Sequence, residues 1–183
     1  ADLVHFLESG PPPVYVGFGS MSDRDPERVT QITLQALKKT GQRAVLESGW
    51  GGIRTFPSSD DVFFINKNVT HDWLFPRVSA ALHHGGAGTT SAAIRAGIPN
   101  IIAPFTLDQY AWADIISKKG LGVRAASNVN KLNEKKLRFA IEKVMQDVSI
   151  RQRAAALGQK VRAEDGVGVS VQLIEQHARE FYQ

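Results

Sequence analysis

The sequence predicts an α/β fold, a Rossmann-like parallel sheet of about six strands with helices on both faces. Three observations predict it. Short apolar runs alternate with longer stretches of helical periodicity, and strands joined through helices run parallel by right-handed crossovers. A length of 183 residues with 43% hydrophobic composition suits one domain with a sizeable core. The most unusual segments, at residues 17–20, 83–90 and 104–109, each follow an apolar run, where sheets of this kind gather their ligands.

Residues 14–18 (Val-Tyr-Val-Gly-Phe) are β-rich and stop at Gly19 and Ser20, which makes a first strand. Pro26 suits a first helical position, with Asp23 or Asp25 as the cap before it. Val29, Ile32, Thr33, Ala36 and Leu37 then share one helical face, and Gly41 closes the helix. Residues 43–46 and 62–65 read as the second and third strands, with Gly49, Gly51, Gly52, Pro57, Ser58 and Ser59 marking the loop between them. A fourth strand covers 80–83, a helix about 89–96, and a fifth strand 100–103, which ends at Pro104. A helix at 108–119 and a short strand at 120–124 follow. Helices at 133–147, 150–163 and 168–181 close the chain; the last of them carry mixed charge and read as a solvated outer layer.

Lys and Arg number 22 and Asp and Glu 18, for a net charge of +4. This mild, dispersed excess suits small anionic ligands or anionic lipid surfaces and argues against nucleic acid. The absence of cysteine removes disulfides, thiolate nucleophiles and Cys-rich zinc sites, and agrees with a reducing, cytoplasmic location. No apolar run approaches about 18 residues, and the N-terminus lacks a basic start and an apolar signal core.

The segment His83-His84-Gly85-Gly86-Ala87-Gly88-Thr89-Thr90 carries the most chemistry. It reads as strand end, glycine-rich turn and helix start. Glycines let the backbone approach a ligand, and free N–H groups at a helix N-terminus favour phosphate. The implied ligand is an anion, foremost a diphosphate. His84, nearest the turn, is the better diphosphate donor. His83 alternates to the other face, as a core histidine or one that supports the site from behind. Thr89 or Thr90 caps the helix or meets a phosphate oxygen. The plainer alternative is a tight turn with a capping Thr and two satisfied histidines.

Gly17-Phe18-Gly19-Ser20 is weak alone, and it lacks the later glycine of a dinucleotide fingerprint. Asp108 and Gln109 open a helix; either Asp108 is a simple cap, or the pair offers the acceptors and donors that neutral sugar hydroxyls need. Trp73 and Phe75 are core or interface aromatics rather than a base platform. His71 and Asp72 are adjacent, so they do not face each other as a catalytic dyad. The histidines show no metalloenzyme spacing, and no metal is expected.

Together these residues resemble the nucleotide-sugar-binding half of family 1 glycosyltransferases of the GT-B fold, sterol 3-β-glucosyltransferases above all. The matching text is Gly17-Phe18-Gly19-Ser20-Met21, Asn68-Val69-Thr70-His71-Asp72-Trp73-Leu74-Phe75-Pro76, the segment 83–90, Arg95-Ala96-Gly97-Ile98-Pro99 and Pro104-Phe105 with Asp108-Gln109. Order and spacing cover residues 14 to about 125, and Glu164-Asp165-Gly166-Val167 extends the likeness. The resemblance implies that Gly19, Ser20, His84, Gly86, Gly88 and Thr89 hold the diphosphate. It implies that Val69, through its backbone, and His71 meet the uracil and ribose, and that Asp108 and Gln109 grip the sugar. Three departures stand out: His71 replaces the Gln of many plant members, no Trp occupies position 68, and Thr70 replaces the Pro usual in the sterol subgroup.

A GT-B enzyme has two halves, and the resemblance implies that the acceptor site and general base lie in an N-terminal half. Residues 1–13, with three consecutive prolines, read as the tail of an interdomain linker, and residues 14–183 as the donor domain. The expected partners are UDP-glucose or a related nucleotide sugar and an N-terminal acceptor domain, with transient membrane contact where the acceptor is a lipid. The isolated chain is expected to bind donor without robust transfer. A partner-dependent split subunit, a non-enzymatic nucleotide-binding module and an oxidoreductase domain are the competing readings; the missing third glycine disfavours the last.

Overall fold

β1 (Val14–Gly17) lies at the middle of a six-stranded sheet in the computed structural model, flanked by β2 (Ala44–Glu47) and β4 (Ala80–His83). β3 (Val62–Ile65) extends the sheet beyond β2, while β5 (Asn100–Ile102) and β6 (Gly122–Arg124) extend it beyond β4. Every pairing is parallel, and Gly17 stands opposite Glu47 on one side and His83 on the other. The structure describes residues 2–19, 21, 25–48, 58–65 and 69–181.

Alternation along β1 sorts its side chains between the two faces. Val14 and Val16 join Val29, Ala36 and Leu37 of α2 (Pro26–Thr40) and Leu137, Ile141 and Val144 of α6 (Glu134–Gln146). Tyr15 points the other way, toward Phe6 of α1 (Leu3–Glu8), Leu74 of α3 (His71–Leu74) and Ala93 of α4 (Ala87–Ala96). α5 (Gln109–Lys118) seals the far end by packing Ala113 and Ile116 on Ile102 and Leu121. Each fully buried Leu or Ile in these layers contributes about 1.5–3 kcal/mol.

Local chemistry agrees with the layers. The Asp25 carboxylate accepts the Arg28 N–H at 3.0 Å, Pro26 opens α2, and Gly41 ends it in the left-handed region at φ 62°. Asn133 caps α6 by accepting the Lys136 N–H, and Asp147 caps α7 (Val148–Ala163) by accepting that of Ser149. Asp23, the other cap candidate for α2, lies outside the described residues.

One expectation needs correction. The closing helices are not all an outer layer: α6 sits in the core, and α7 buries Ile150, Ala154 and Gly158. Only α8 (Gly166–Phe181) is solvated along its length, and it exposes Val167, Leu173, Ile174 and Phe181. Residues 3–8, read as part of a linker, form a helix capped by Asp2 and docked through Phe6, with the Arg43 guanidinium stacked 4.1 Å over that ring.

α4 and α7 meet at Gly158. A Cβ there would stand 2.6 Å from the Gly97 Cα and 2.8 Å from the Ile94 carbonyl oxygen, both backbone atoms. Gly158→Ala should therefore force the helices apart and cost about 1–3 kcal/mol, read as a fall in thermal midpoint. An unchanged midpoint would show that the helices separate freely.

Candidate functional site

From β1 the chain passes through α2 to β2 and on to β3 on one side, and then crosses from β3 through α3 to β4 on the other side of β1. That reversal opens a crevice at the carboxyl ends of β1 and β4. Three loops meet there. Gly19, in the loop after β1, turns with φ 59°, and a Cβ on it would lie 3.2 Å from His84 Cε1. Gly85, after β4, touches the loop after β5, because a Cβ on it would lie 3.2 Å from the Gln109 carbonyl oxygen. Beneath them Phe18 and Phe105 pack edge to face at 5.6 Å.

His84 is the centre of this arrangement. Its ring sits between Gly19 and Gly86, where a Cβ on Gly86 would come within 2.4 Å of Nε2. Its Nδ1 is buried without a partner among the described residues. Burial lowers its pKa; Asp108 opposes the shift and His71 adds to it, so both lie within electrostatic reach of the ring. The neutral imidazole keeps one N–H to donate and one lone pair.

α4 begins at Ala87, two residues earlier than the sequence predicts, with Gly86 at the cap position and no side chain capping it. Neither Thr89 nor Thr90 is the cap: Thr90 donates its N–H to the Gly86 carbonyl at 3.0 Å, and its buried Oγ1 has no partner among the described residues. The first-turn N–H groups of Ala87, Gly88 and Thr89 thus face the crevice without a side-chain cap, and no acidic residue stands in that turn. Among the described residues nothing lies within 4 Å of a Cβ built on Gly88, so they leave the approach to this turn open. Uncapped amides and the positive end of a helix dipole form an anion site.

His83 is fully buried and serves the turn from behind. Its Nδ1 accepts the Gly85 N–H at 3.0 Å, so Nε2 carries the hydrogen and donates to Asn100 Oδ1 at 2.9 Å. Burial pushes its pKa down to about 3, and the ring is neutral. Gly85 holds φ 92°, and a Cβ there would strike Ile102 Cγ2 at 2.7 Å, so only glycine fits this turn.

The loop after β5 divides its two candidates. Asp108 is exposed, its side chain makes no cap bond, and among the described residues its carboxylate has no hydrogen-bond partner. Gln109 is buried, and its Oε1 accepts the N–H groups of Phe105 at 2.8 Å and Thr106 at 3.2 Å. The acceptor end of Gln109 therefore holds the loop, and only its amide nitrogen remains to meet a sugar. Leu107, just before them in sequence, is exposed in the left-handed region at φ 50°.

On the other side of His84, Val69 is half-buried against the core and His71 begins α3. The His71 ring stacks on Phe75 at 4.3 Å, and its Nε2 lies 3.3 Å from the Tyr15 hydroxyl, which donates to Glu47. Phe75 is core, while Trp73 lies at the surface of that core under the Arg77 guanidinium. A groove of about 640 Å³ starts at His71 and runs between α3 and α4 past Arg95 toward Arg162. Ser20 and Asn68 lie outside the described residues. Sequence reasoning missed Tyr15, Glu47 and Asn100. A polar tip within an apolar strand was the available signal for the first, and a polar residue at a strand end for the other two.

The erythromycin biosynthesis protein CIII-like, C-terminal domain family matches residues 52–173. The chain is 39% identical over 177 residues to sterol 3-beta-glucosyltransferase UGT80A2 of Arabidopsis thaliana, covering 97% of this chain and 28% of that protein. It is 36% identical over 183 residues to the sterol 3-beta-glucosyltransferase of Komagataella phaffii, covering 95% of this chain and 15% of that protein. The chain thus spans less than a third of the length of these relatives. Among solved structures, the glycotransferase of kitacinnamycin superposes with a TM-score of 0.78 at 20% identity, over 92% of this chain and 43% of that one. With its Rossmann-like six-stranded sheet, the chain belongs to the family of erythromycin biosynthesis protein CIII-like C-terminal domains, one half of a GT-B-type glycosyltransferase fold.

Proposed function

We propose that this chain is the donor-binding half of an inverting glycosyltransferase, with UDP-glucose as donor and a sterol or related lipid hydroxyl as acceptor. The observation that carries the reading is the uncapped start of α4 closed over by the neutral His84, with the free Asp108 carboxylate beside it. The α4 amides and the His84 N–H bind the diphosphate, and they bind it more strongly as negative charge grows on its leaving oxygen. Asp108 accepts from sugar hydroxyls, and the Gln109 amide nitrogen donates. In the whole enzyme the acceptor hydroxyl attacks the anomeric carbon as the bond to the diphosphate breaks, and a base from the other half takes its proton. The sterol acceptor and the glucosyl donor are supported by the named relatives.

The leaving charge is met by fixed dipoles and a histidine, so binding is proposed to be independent of metal. Among the described residues, no group of three or more His, Asp or Glu side chains gathers to hold a metal ion. Calorimetric titration with UDP, UDP-glucose and NAD, with and without Mg²⁺, tests this. UDP and UDP-glucose should bind with equal affinity in magnesium and in chelator, and NAD should not bind. A requirement for Mg²⁺, or a preference for NAD, would overturn the reading.

A further inference from the structure

Tyr15, Glu47 and His71 come from three separate elements, β1, β2 and α3, and meet at the carboxyl edge of the sheet. Tyr15 is buried, 2% exposed, and lies along its own strand: its hydroxyl occupies the place a Cβ on Gly17 would take. The register that pairs Gly17 with Glu47 puts the carboxylate beside that hydroxyl. The ring is held edge-on by Phe75 at 5.0 Å and by His71 at 5.6 Å.

A phenol has one proton to give and lone pairs to receive. Tyr15 gives its proton to Glu47 Oε2. Toward His71 Nε2, at 3.3 Å, the oxygen is then left only as an acceptor. That geometry requires the hydrogen of the neutral His71 ring to sit on Nε2, which makes Nδ1 a bare lone pair. Among the described residues Nδ1 has no hydrogen-bond partner.

We propose that Tyr15 and Glu47 are positioning residues that fix His71 in its Nε2–H tautomer, so that Nδ1 accepts a hydrogen bond from the nucleoside of the donor, either a ribose hydroxyl or the imino N–H of uracil. The proposal rests on the donor-site reading above. Burial supports it by holding the Tyr15 hydroxyl protonated, with the neighbouring Glu47 charge acting in the same direction. Burial also lowers the His71 pKa, against the opposing pull of Glu47 and Asp72, which keeps the ring neutral. A ring locked as an acceptor selects ligands that bring a donor. It fails against a nucleoside whose matching hydrogen has been removed.

The test joins a tautomer measurement to a ligand series. Long-range ¹H–¹⁵N correlation spectra of the free chain, with His71 assigned by its loss in His71→Gln, should show a pyrrole-type Nε2 and a pyridine-type Nδ1. Tyr15→Phe and Glu47→Leu should each lose that pattern. Glu47→Gln should keep it, because an amide oxygen still accepts the tyrosine proton. Titrations with UDP, 2′-deoxy-UDP and N3-methyl-UDP should show that one analogue binds about tenfold more weakly than UDP, the value of one hydrogen bond. Which analogue suffers identifies the ribose or the base as the source. That discrimination should vanish in Tyr15→Phe. A pyridine-type Nε2 in the wild-type chain, a tautomer unmoved by Tyr15→Phe, or equal affinity for all three ligands would overturn the proposal. If UDP itself does not bind, the donor-site reading falls and the nucleoside role with it, while the free-chain spectra still judge the positioning by Tyr15 and Glu47.

Discussion

His84→Ala should weaken UDP binding by about tenfold to a hundredfold while leaving the thermal midpoint of the chain nearly unmoved. The magnitude is that of a hydrogen bond to a charged group, about 1.5–3 kcal/mol. The near-absence of a stability effect follows from the geometry. The ring is only half-buried, lies over the glycines at positions 19 and 86, and its buried Nδ1 makes no bond to the described residues that truncation would break. Burial of that nitrogen has a cost that a phosphate oxygen or its bound water would relieve if the ligand binds as proposed. Titration calorimetry beside thermal unfolding separates the two quantities. Wild-type affinity in the variant would remove His84 from the site.

The neighbouring histidine should behave in the opposite way. His83→Ala should cost about 3–5 kcal/mol of stability, since it opens a cavity and leaves the Gly85 N–H and Asn100 Oδ1 without their partner. The wild-type chain should also carry a pH signature of this residue. Its folded pKa of about 3 lies below the ordinary value near 6.5, so the unfolded chain takes up a proton that the folded chain refuses. The stability due to neutral His83 is therefore fully present above about pH 6.5 and is lost as pH falls toward 3, at up to about 1.4 kcal/mol per pH unit. Denaturant unfolding from pH 7.5 to 4.5 should show a steep decline in the wild-type chain and a shallower one in His83→Ala. Parallel declines would mean that other groups carry the acid sensitivity.

The sheet was legible because each strand is a short apolar run closed by Gly, Pro or Asn, and the helices because their apolar faces repeat at the right spacing. The convergence of the loops at 17–20, 83–90 and 104–109 followed from the sheet's direction alone, and Gly19, His84, Gly85 and Gln109 do meet. What was not legible divides into two kinds. At the start of α4 the local rule failed in the way the proposed anion site would require. A threonine was the natural cap, yet the helix starts earlier and without a side-chain cap. Other features depend on partners that the local pattern does not name. Alternation could place His83 and His84 on different faces, but it could not show that Asn100 on β5 receives the proton of the buried His83 ring. Gln109 looked like a free amide until its oxygen was found holding Phe105 and Thr106. Tyr15, Glu47 and His71 lie on three elements, and no window of sequence contains them together.

The bond from Gly85 to His83 has a consequence for energetics rather than geometry. A glycine-rich loop over a ligand is usually mobile and must be ordered at the moment of encounter. Here its central amide is tied to a buried imidazole that is itself tied to β5, so the loop's entropy has already been surrendered when the domain folds. A diphosphate bound as proposed would meet a rigid receptor, and its affinity would reflect the contacts it makes rather than what remains after taming a flexible chain.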